Sequence, residues 1–297
     1  MPLTSDLGQL AALGAACCWA VSALAFEAAG KRVGSFAVNV LRLGMAIGIL
    51  AAICWALRGL PLPTDASPHA WLWLGVSGLV GFTFGDLCQF EAFVRLGPRL
   101  TTLTMGLAPP LTALIGWLLL GEVLARQDLL GMSLILAGIA WAILGRSPGA
   151  DGTRPHPAGV ALAAGGALGQ AGGLVLSKIG MGSYDPFAAT QVRILAGLGG
   201  YLVLTTLLRW WPRVRVAAAH PSGLGFTALG SFFGPSLGVA LSLVAVRHTL
   251  TGVAASIMAT TPLLIIPLVI LLRREKVGIS GVGGAVLVVA GVALLFA

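Results

Sequence analysis

A carboxylate surrounded by apolar residues is the most distinctive chemical group in this sequence. Asp86 lies in the stretch GFTFGDLCQFE, deep inside a long apolar run. An ionisable group in such a run is costly to bury and is a functional candidate. Helical spacing places Phe82, Gln89 and Phe93 on the same stripe. We expect Asp86 either to bind a substrate ammonium group or a coupling proton in a cavity, with Phe82 stacking on the solute, or only to accept hydrogen bonds from a neighbouring helix.

Two arginines, Arg42 and Arg193, lie a few residues inside other apolar runs. A guanidinium at this depth can bind a substrate carboxylate. It can also extend to the membrane interface or pair with an acidic side chain. The sequence leaves both interpretations open.

Two further acids have a basic residue four positions later, Glu27 with Lys31 and Glu91 with Arg95. This is the spacing of an ion pair along one helix face. Together with Asp86, the two acids are the candidates for proton coupling, and a local ion pair is the alternative for each.

Polar and aromatic side chains inside apolar runs complete the candidate substrate-binding set, and packing or an interhelical hydrogen bond is the alternative for each. With Phe82, Asp86 and Gln89, this set contains Trp19, Ser22, Asn39, Gln170, Gln191 and Ser242.

Prolines inside three of the apolar runs predict interruptions of the helices. Pro110, Pro235 and Pro262 lack the N–H that an interior helical position donates. The carbonyl groups that a break frees need partners, so such breaks are buried in protein or line a cavity. We expect these prolines to line the cavity, and a static kink is the alternative.

The elements that position these residues are expected to be membrane-spanning helices. The chain has 297 residues, of which 57% are hydrophobic and 9% are charged, whereas average proteins carry roughly a quarter charged residues. We therefore predict an all-α polytopic membrane protein. Its ten predicted transmembrane helices are 8–29, 36–57, 70–93, 98–119, 128–145, 158–179, 187–208, 222–246, 250–272 and 277–296.

Composition and motifs argue against other protein classes. The net charge of +8 comes from basic residues in short loops, which favours membrane topology and lipid headgroups over nucleic acid. The histidines His69, His156, His220 and His248 lie in loops or at span ends, and the sequence has no HExxH or GxSxG motif. We expect no enzymatic activity, no cofactor and no metal site.

The chain contains an internal repeat. The stretch TTLTMGLAPPLTALIGWLLLGE at 101–122 recurs as VAASIMATTPLLIIPLVILLRRE at 253–275. Both stretches place a proline before an apolar run, Pro110 in the first and Pro262 in the second. Self-similarity at this distance indicates two related halves.

Earlier in each half, equivalent residues of the two halves are 151 positions apart, which aligns Arg42 with Arg193 and Trp19 with Gln170. The predicted domains are a first five-helix repeat at 1–145, a linker rich in Pro and Gly at 146–157, and a second five-helix repeat at 158–297.

Five helices per repeat is an odd number, so the second repeat enters the membrane in the opposite sense, as in many secondary transporters. The odd-numbered loops carry Lys31, Arg32, Arg95, Arg99, Arg146, Arg154, Arg209, Arg213, Arg215, Arg273, Arg274 and Lys276, and the even-numbered loops carry Arg58, Arg126, Lys178 and Arg247. The positive-inside rule then places the odd loops in the cytoplasm and both termini outside it.

The chain has ten predicted spans in two repeats, with a proline in each fourth span and an acid after it, Glu122 in the first repeat and Glu275 in the second. In these features it resembles the drug/metabolite transporter superfamily, specifically its EamA-like branch. Within that branch the chain is most similar to the bacterial aromatic amino-acid exporters. The resemblance implies a central cavity lined mainly by the first, third, fourth, sixth, eighth and ninth spans. Trp19 and Gln170 would face each other across it, and alternating access would move one side against the other.

The resemblance and the sparse internal charge predict a secondary transporter that exports aromatic and other neutral, hydrophobic amino acids across the bacterial inner membrane. Its partners would be the solute and membrane lipids, and the protein would be a monomer or a weak homodimer. Alternatives are an exporter of other small metabolites or drugs, or a sugar-phosphate or nucleotide-sugar exchanger, for which only Arg42 and Arg193 offer cations. A channel or an intramembrane enzyme is the alternative from another class.

Overall fold

The computed structural model describes residues 2–144, 157–273 and 279–296, and within these ranges all regular structure is helical. The elements are α1 (Pro2–Val33), α2 (Ser35–Arg58), α3 (Pro68–Gly78), a first π-helical turn (Leu79–Gly85), α4 (Asp86–Met105), α5 (Ala108–Leu120), α6 (Arg126–Leu144), α7 (Pro157–Met181), α8 (Pro186–Leu207), α9 (Trp211–Ala218), α10 (Pro221–Ser231), a second π-helical turn (Phe232–Gly238), α11 (Val239–His248), α12 (Thr251–Met258), α13 (Thr261–Arg273) and α14 (Ile279–Phe296). Glu275 and the predicted linker, apart from Pro157, lie outside the described residues.

Six continuous helical segments are long and apolar enough to cross a bilayer. They are Asp6–Val33, Ser35–Arg58, Pro68–Ala92, Pro157–Met181, Pro186–Leu207 and Pro221–His248, and shorter apolar helices cover Ala108–Leu120, Thr251–Ile265 and Val282–Phe296. A helix satisfies its own backbone polar groups, which the bilayer interior requires. The protein is therefore an all-helical polytopic membrane protein, and the number of ten crossings stays a prediction.

The fourth and ninth predicted spans are each divided into two helices. Residues 106 and 107 separate α4 from α5, and residues 259 and 260 separate α12 from α13. Pro110 and Pro262 lie just after these interruptions, in the first turns of α5 and α13. A proline costs no intrahelical hydrogen bond there, because the first N–H groups of a helix have no intrahelical acceptor.

Two local elements differ from the predicted ones. α4 continues through 94–97, where the sequence predicts a loop, and through Pro98, since a proline removes only one backbone hydrogen bond. A short helix, α9, occupies the predicted loop before α10 and buries Val214 and Ala217. Both predicted loops therefore contain helix, while the order of the predicted spans along the chain does not change.

Capping side chains followed by proline begin two of the long helices. Ser67 Oγ accepts a hydrogen bond from the N–H of Ala70 at 3.2 Å before α3. Asp185 Oδ1 accepts from the N–H groups of Phe187 and Ala188, at 3.1 and 2.9 Å, before α8. The cap supplies an acceptor for a free N–H group, and the proline is preorganised for the first helical position.

The two π-helical turns lie at equivalent places in the two repeats. They span Leu79–Gly85 and Phe232–Gly238, and their last residues, Gly85 and Gly238, match at an offset of 153 residues. π turns are rare and often lie at functional sites. Both repeats thus carry the same local distortion in their third predicted span.

Glycine rows bring α7 into backbone contact with the first π turn. A Cβ atom added at Gly169 would lie 2.6 Å from the Cα of Gly85, and one at Gly173 would lie 2.9 Å from the Cα of Gly81. Only residues without a side chain permit this approach, which is common at membrane helix interfaces.

The equivalent contact in the other half joins α1 to α10 and to the second π turn. A Cβ atom at Gly238 would lie 2.5 Å from Trp19 Nε1, and one at Gly230 would lie 2.4 Å from Phe26 Cε1. The first helix of each repeat therefore packs against the distorted helix of the other repeat.

The last helices of the two repeats, α6 and α14, form a pair through glycines. A Cβ atom at Gly138 would lie 2.6 Å from the carbonyl oxygen of Gly284, and one at Gly131 would lie 2.9 Å from that of Gly291. Gly131 and Gly138 match Gly284 and Gly291 at the offset of 153 residues. The internal symmetry thus extends to the packing of this pair.

Candidate functional site

Asp86 begins α4 directly after the first π turn, and its side chain is buried. Both of its carboxylate oxygens accept hydrogen bonds. Arg42 Nη2 donates to Oδ2 in an ion pair, and Gln170 Nε2 donates to Oδ1 at 3.1 Å. Arg42 belongs to the first repeat and Gln170 to the second, so this carboxylate joins the two halves of the molecule.

The glycine contact explains why Gln170 reaches this carboxylate. Gly85 precedes Asp86, and a Cβ atom at Gly85 would lie 3.3 Å from the carbonyl carbon of Gly169 and 3.4 Å from the backbone nitrogen of Gln170. Close approach of α7 to the π turn therefore places the amide of Gln170 beside the acid. The sequence predicts each residue as a candidate, and the structure brings them together.

Arg193 lies in the same buried region, and no anion among the described residues is hydrogen bonded to it. Its side chain is 6% exposed, and its guanidinium carbon lies 5.2 Å from the centroid of the Phe82 ring. Its Nε is enclosed and has no hydrogen-bond partner in the part of the chain that the structure describes. Asp86 acts on Arg193 electrostatically, but the described residues include no ion pair between them.

Aromatic rings surround the other guanidinium. The Arg42 guanidinium carbon lies 5.4 Å from the centroid of Phe26 and 5.9 Å from that of Phe90. Cations favour the faces of aromatic rings at such distances. With Phe82 beside Arg193, the charged cluster is flanked by aromatic surface on both sides.

Several polar atoms are buried without a hydrogen-bond partner among the described residues. They include the Nε atoms of Arg42 and Arg193, the hydroxyl of Tyr201, Asn39 Oδ1 and Ser236 Oγ. Buried polar groups in folded proteins are almost always hydrogen bonded, so exceptions mark places where solvent or a solute supplies the bond. Tyr201 shares the electrostatic environment of Asp86 and Arg42.

The sequence reasoning missed Tyr201. It lies two turns after Arg193 on α8, at a spacing of eight residues that keeps it near the same helix face. The spacing of eight residues from Arg193 is the signal in the sequence that points to Tyr201.

Three predicted substrate-binding residues bond to their own helices. Ser22, Asn39 and Ser242 are buried and donate to backbone carbonyls three or four residues earlier, at 3.1, 3.2 and 2.7 Å. Gln191 is fully buried and donates to the carbonyl oxygen of Pro61 at 2.8 Å, so it holds the α2–α3 loop. The sequence left packing or an interhelical hydrogen bond open as the alternative for these residues, and their role in substrate binding stays a prediction.

The remaining predicted residues lie at the second π turn, next to Asp86 on α4, or in the first turns of α5 and α13. Trp19 packs on Gly238, and half-buried Gln89 lies one turn after Asp86 with its Cα 3.3 Å from a Cβ added at Gly166. Pro235 is buried inside the second π turn, whereas Pro110 is exposed and Pro262 is half-buried.

Both candidate proton-coupling acids outside the cluster have basic partners. Glu27 Oε1 accepts from Lys31 Nζ at 2.5 Å, and Glu91 Oε1 accepts from Arg95 Nε at 2.9 Å. These are the ion pairs that the spacing of four residues predicts.

A second acid, partly buried, lies at the turn between α5 and α6. Glu122 accepts hydrogen bonds from Lys178 Nζ at 2.6 Å and from Thr251 N and Oγ1 at 2.7 and 2.6 Å. Lys178 also donates to the carbonyl oxygen of Thr249 at 2.9 Å. The carboxylate caps the N-terminus of α12, where negative charge is favoured, and ties the first repeat to α7 of the second.

An open cleft of about 620 Å³ lies beside this joint. Its lining includes Gln9, Glu122, Lys178, Arg247 and His248. None of the predicted substrate-binding residues lines this cleft, so the cleft and the Asp86 cluster are separate features.

Comparison with known proteins identifies the fold and the family. The EamA-like transporter family matches residues 6–144 and 157–297. A solved structure titled "Crystal structure of protein" has a TM-score of 0.78 at 21% sequence identity, over 97% of this chain and 95% of that chain; this likeness shows the fold alone. No curated protein matches the sequence. The chain belongs to the EamA-like transporter family, whose members are membrane transporters and not enzymes.

Proposed function

We propose that this protein is a secondary transporter that exports amino acids, chiefly aromatic and other neutral hydrophobic ones, by alternating access between its two repeats. One observation carries the proposal. Asp86 lies buried where the two repeats meet, hydrogen bonded to Arg42 and Gln170. Ionisable groups buried in this way are uncommon in membrane proteins and mark substrate or ion pathways.

The chemistry of this cluster suits a zwitterion. An ammonium group can replace Arg42 as the partner of Asp86, and the carboxylate of the same solute can accept hydrogen bonds from one of the two guanidinium groups of the cluster. The exchange leaves the total charge unchanged, so no additional net charge has to be buried in the membrane. A neutral amino acid carries both groups at the required short separation.

The aromatic surroundings favour aromatic side chains. Phe26 and Phe90 flank Arg42, Phe82 flanks Arg193, and Trp19 packs on the second π turn. Ring pairs contribute about 0.5–1.5 kcal/mol beyond the area that they bury. Phenylalanine is therefore the first solute to test.

We further propose ten crossings of the bacterial inner membrane, with α4–α5 and α12–α13 as interrupted spans and both termini outside the cytoplasm. Interrupted helices at corresponding places in two repeats are typical of secondary transporters. The orientation is tested by labelling Arg126→Cys and Arg213→Cys with an impermeant thiol reagent in a variant whose native cysteines are replaced. Labelling of position 213 from outside would contradict the proposed orientation.

Counterflow tests the transport activity. The protein is reconstituted in liposomes preloaded with unlabelled phenylalanine, and entry of labelled phenylalanine is followed with threonine, methionine or a sugar phosphate as competitor. The proposal predicts saturable entry that amino acids block. Entry should be lost in Asp86→Asn and retained in Ser133→Ala, whose hydroxyl bonds only Leu129 on the exposed face of α6.

Two results would contradict the proposal. Entry no faster than in empty liposomes would exclude phenylalanine as a substrate. Blockade by the sugar phosphate alone would favour an exchanger of phosphorylated solutes, in which Arg42 and Arg193 meet the phosphate group.

A further inference from the structure

The buried cluster contains more positive than negative charge. Among the residues that the structure describes, it holds the guanidinium groups of Arg42 and Arg193 and the carboxylate of Asp86. Arg42 and Gln170 occupy both oxygens of that carboxylate. Arg193 is therefore left without an anion in hydrogen-bond contact.

The internal repeat shows where its counterion is missing. Arg42 corresponds to Arg193, and Gly85 corresponds to Gly238, so Asp86 corresponds to Val239. The first repeat thus pairs its buried arginine with an acid, and the second repeat has an apolar side chain at the matching position. Val239 is 7% exposed and lies in the same apolar cluster as Phe82.

Among the described residues, the surroundings of Arg193 provide no anion. Its neighbours are the ring of Phe82 and the bare backbone of Gly81, where an added Cβ atom would lie 3.4 Å from Nη2. A guanidinium is costly to bury in a membrane protein without an anion. The cation–π contact with Phe82 offsets only part of that cost.

We propose that Arg193 binds the carboxylate group of the transported solute. This rests on the proposed function and adds the group by which the solute is recognised. A planar guanidinium matches a carboxylate through two parallel hydrogen bonds, a geometry that an uncharged amide of the same solute cannot reproduce with equal strength. The site then selects solutes that carry a carboxylate and discriminates against amines without one.

Competition by phenylalaninamide tests this assignment. In the counterflow assay, wild-type protein should be blocked by phenylalaninamide at least about tenfold more weakly than by phenylalanine, because a charge-assisted bidentate pair is lost. In Arg193→Gln this preference should shrink to about threefold or less, since the interaction between the guanidinium of residue 193 and the solute carboxylate has been removed. Arg193→Lys keeps the positive charge and should retain most of the preference.

A second variant tests the proposal without removing Arg193. Val239→Asp supplies the acid that the second repeat lacks, by the same relation that pairs Arg42 with Asp86. We expect this variant to melt at or above the wild-type temperature without solute and to lose phenylalanine entry. If Val239→Asp takes up phenylalanine as fast as the wild type and prefers it to phenylalaninamide to the same extent, the proposal is overturned.

The outcomes separate this inference from the proposed function. Absence of phenylalanine entry in the wild type would overturn both. If the wild type takes up phenylalanine and Arg193→Gln keeps the full preference for phenylalanine over its amide, only the role of Arg193 is overturned and the proposed function stands. Loss of entry in Arg193→Gln with recovery in Arg193→Lys would support it.

Discussion

Asp86 accepts hydrogen bonds from side chains of two other helices inside the bundle. Arg42 reaches it from α2 and Gln170 from α7, and both oxygens are used. Removing one member of a buried ion pair exposes the other to the full cost of desolvation, whereas removing both members is much less harmful. The pair should therefore show strong coupling in mutagenesis.

Replacement of the acid tests this coupling. Asp86→Asn leaves the guanidinium of Arg42 buried without an anion, and we expect it to lower the free energy of unfolding by about 3 kcal/mol. The double variant Arg42→Gln/Asp86→Asn should be destabilised by less than the sum of the two single changes. Thermal unfolding in detergent measures this difference, and strict additivity would contradict a direct ion pair.

Outside the membrane spans, Tyr184 and Asp65 link the α2–α3 loop to the α7–α8 turn. Tyr184 Oη donates to Asp65 Oδ1 at 2.7 Å, and Arg58 also pairs with Asp65. Burial and the bond to Asp65 raise the pKa of Tyr184 to about 12. The same bond, with the nearby Arg58, lowers the pKa of Asp65.

These pKa shifts define the pH range in which the contact stabilises the fold. The raised pKa of Tyr184 gives stability that is present below its ordinary value of 10 and is lost as the pH rises toward 12. The lowered pKa of Asp65 gives stability that is lost as the pH falls below its ordinary value of 3.8. The melting temperature of wild type minus that of Tyr184→Phe should be constant from about pH 5 to 9 and shrink above pH 10. A difference that grows above pH 10 would contradict this contact.

Individual residues differ in how far the sequence reveals their role. Asp86 was identified because an ionisable group inside an apolar run is informative by itself. The sequence did not reveal that Arg193 lacks an ion-pair partner among the described residues, because this depends on Asp86 pairing with Arg42 and not with Arg193. Tyr201 was missed, since a tyrosine in an apolar run looks like core until its hydroxyl is seen without a partner.

At the scale of elements, glycine rows determine which helices touch. Gly169 of α7 meets the backbone of Gly85, so an added methyl group would force the two helices apart. Gly172 lies on another face of the same helix, where a Cβ atom would meet only Val80 Cγ1 at 3.5 Å, an ordinary contact. The two glycines are therefore a matched pair for mutagenesis.

Gly169→Ala should lower the melting temperature and the phenylalanine entry rate severalfold, because it displaces Gln170 from Asp86. Gly172→Ala should stay within about 0.5 kcal/mol of the wild type or be slightly more stable, since alanine is the better helix former. Thermal unfolding and counterflow of both variants provide the comparison. Equal effects of the two substitutions would contradict the packing described for α7.

The Glu122 joint gives a second prediction for elements. Glu122→Ala removes three hydrogen bonds and the main counterion of Lys178, and we expect a loss of about 2–4 kcal/mol in the free energy of unfolding. Arg126→Ala, an exposed residue a few positions later, is the control and should change stability by less than about 0.5 kcal/mol. A Glu122→Ala protein as stable as the control would show that the joint contributes little.

The sequence predicts most elements but not their distortions. Apolar runs identified the long helices, and prolines near positions 110 and 262 marked the two interrupted spans. The sequence predicted a helix break at Pro235, which lies inside the second π turn, but it did not predict the π register of either turn. The interruptions also fall before the prolines, at Gly106–Leu107 and Ala259–Thr260, rather than at them.

At the scale of the whole molecule, two repeats with one fold carry different chemistry. Matching positions hold Asp86 in the first repeat and Val239 in the second, and Gln170 in the second matches Trp19 in the first. Symmetric packing therefore surrounds an asymmetric set of charges. The repeat itself was predictable from the sequence, whereas the meeting of these residues in one buried cluster required the packing of the two halves.

Equilibrium binding of labelled phenylalanine to the purified protein tests the central claim most directly, namely that the solute is bound at the Asp86 cluster between the repeats. The account predicts saturable binding that is lost in both Asp86→Asn and the double variant Arg42→Gln/Asp86→Asn, and is unchanged in Ser133→Ala. The double variant controls for the buried unpaired charge. Binding of equal affinity in the wild type and in a folded double variant would contradict the claim.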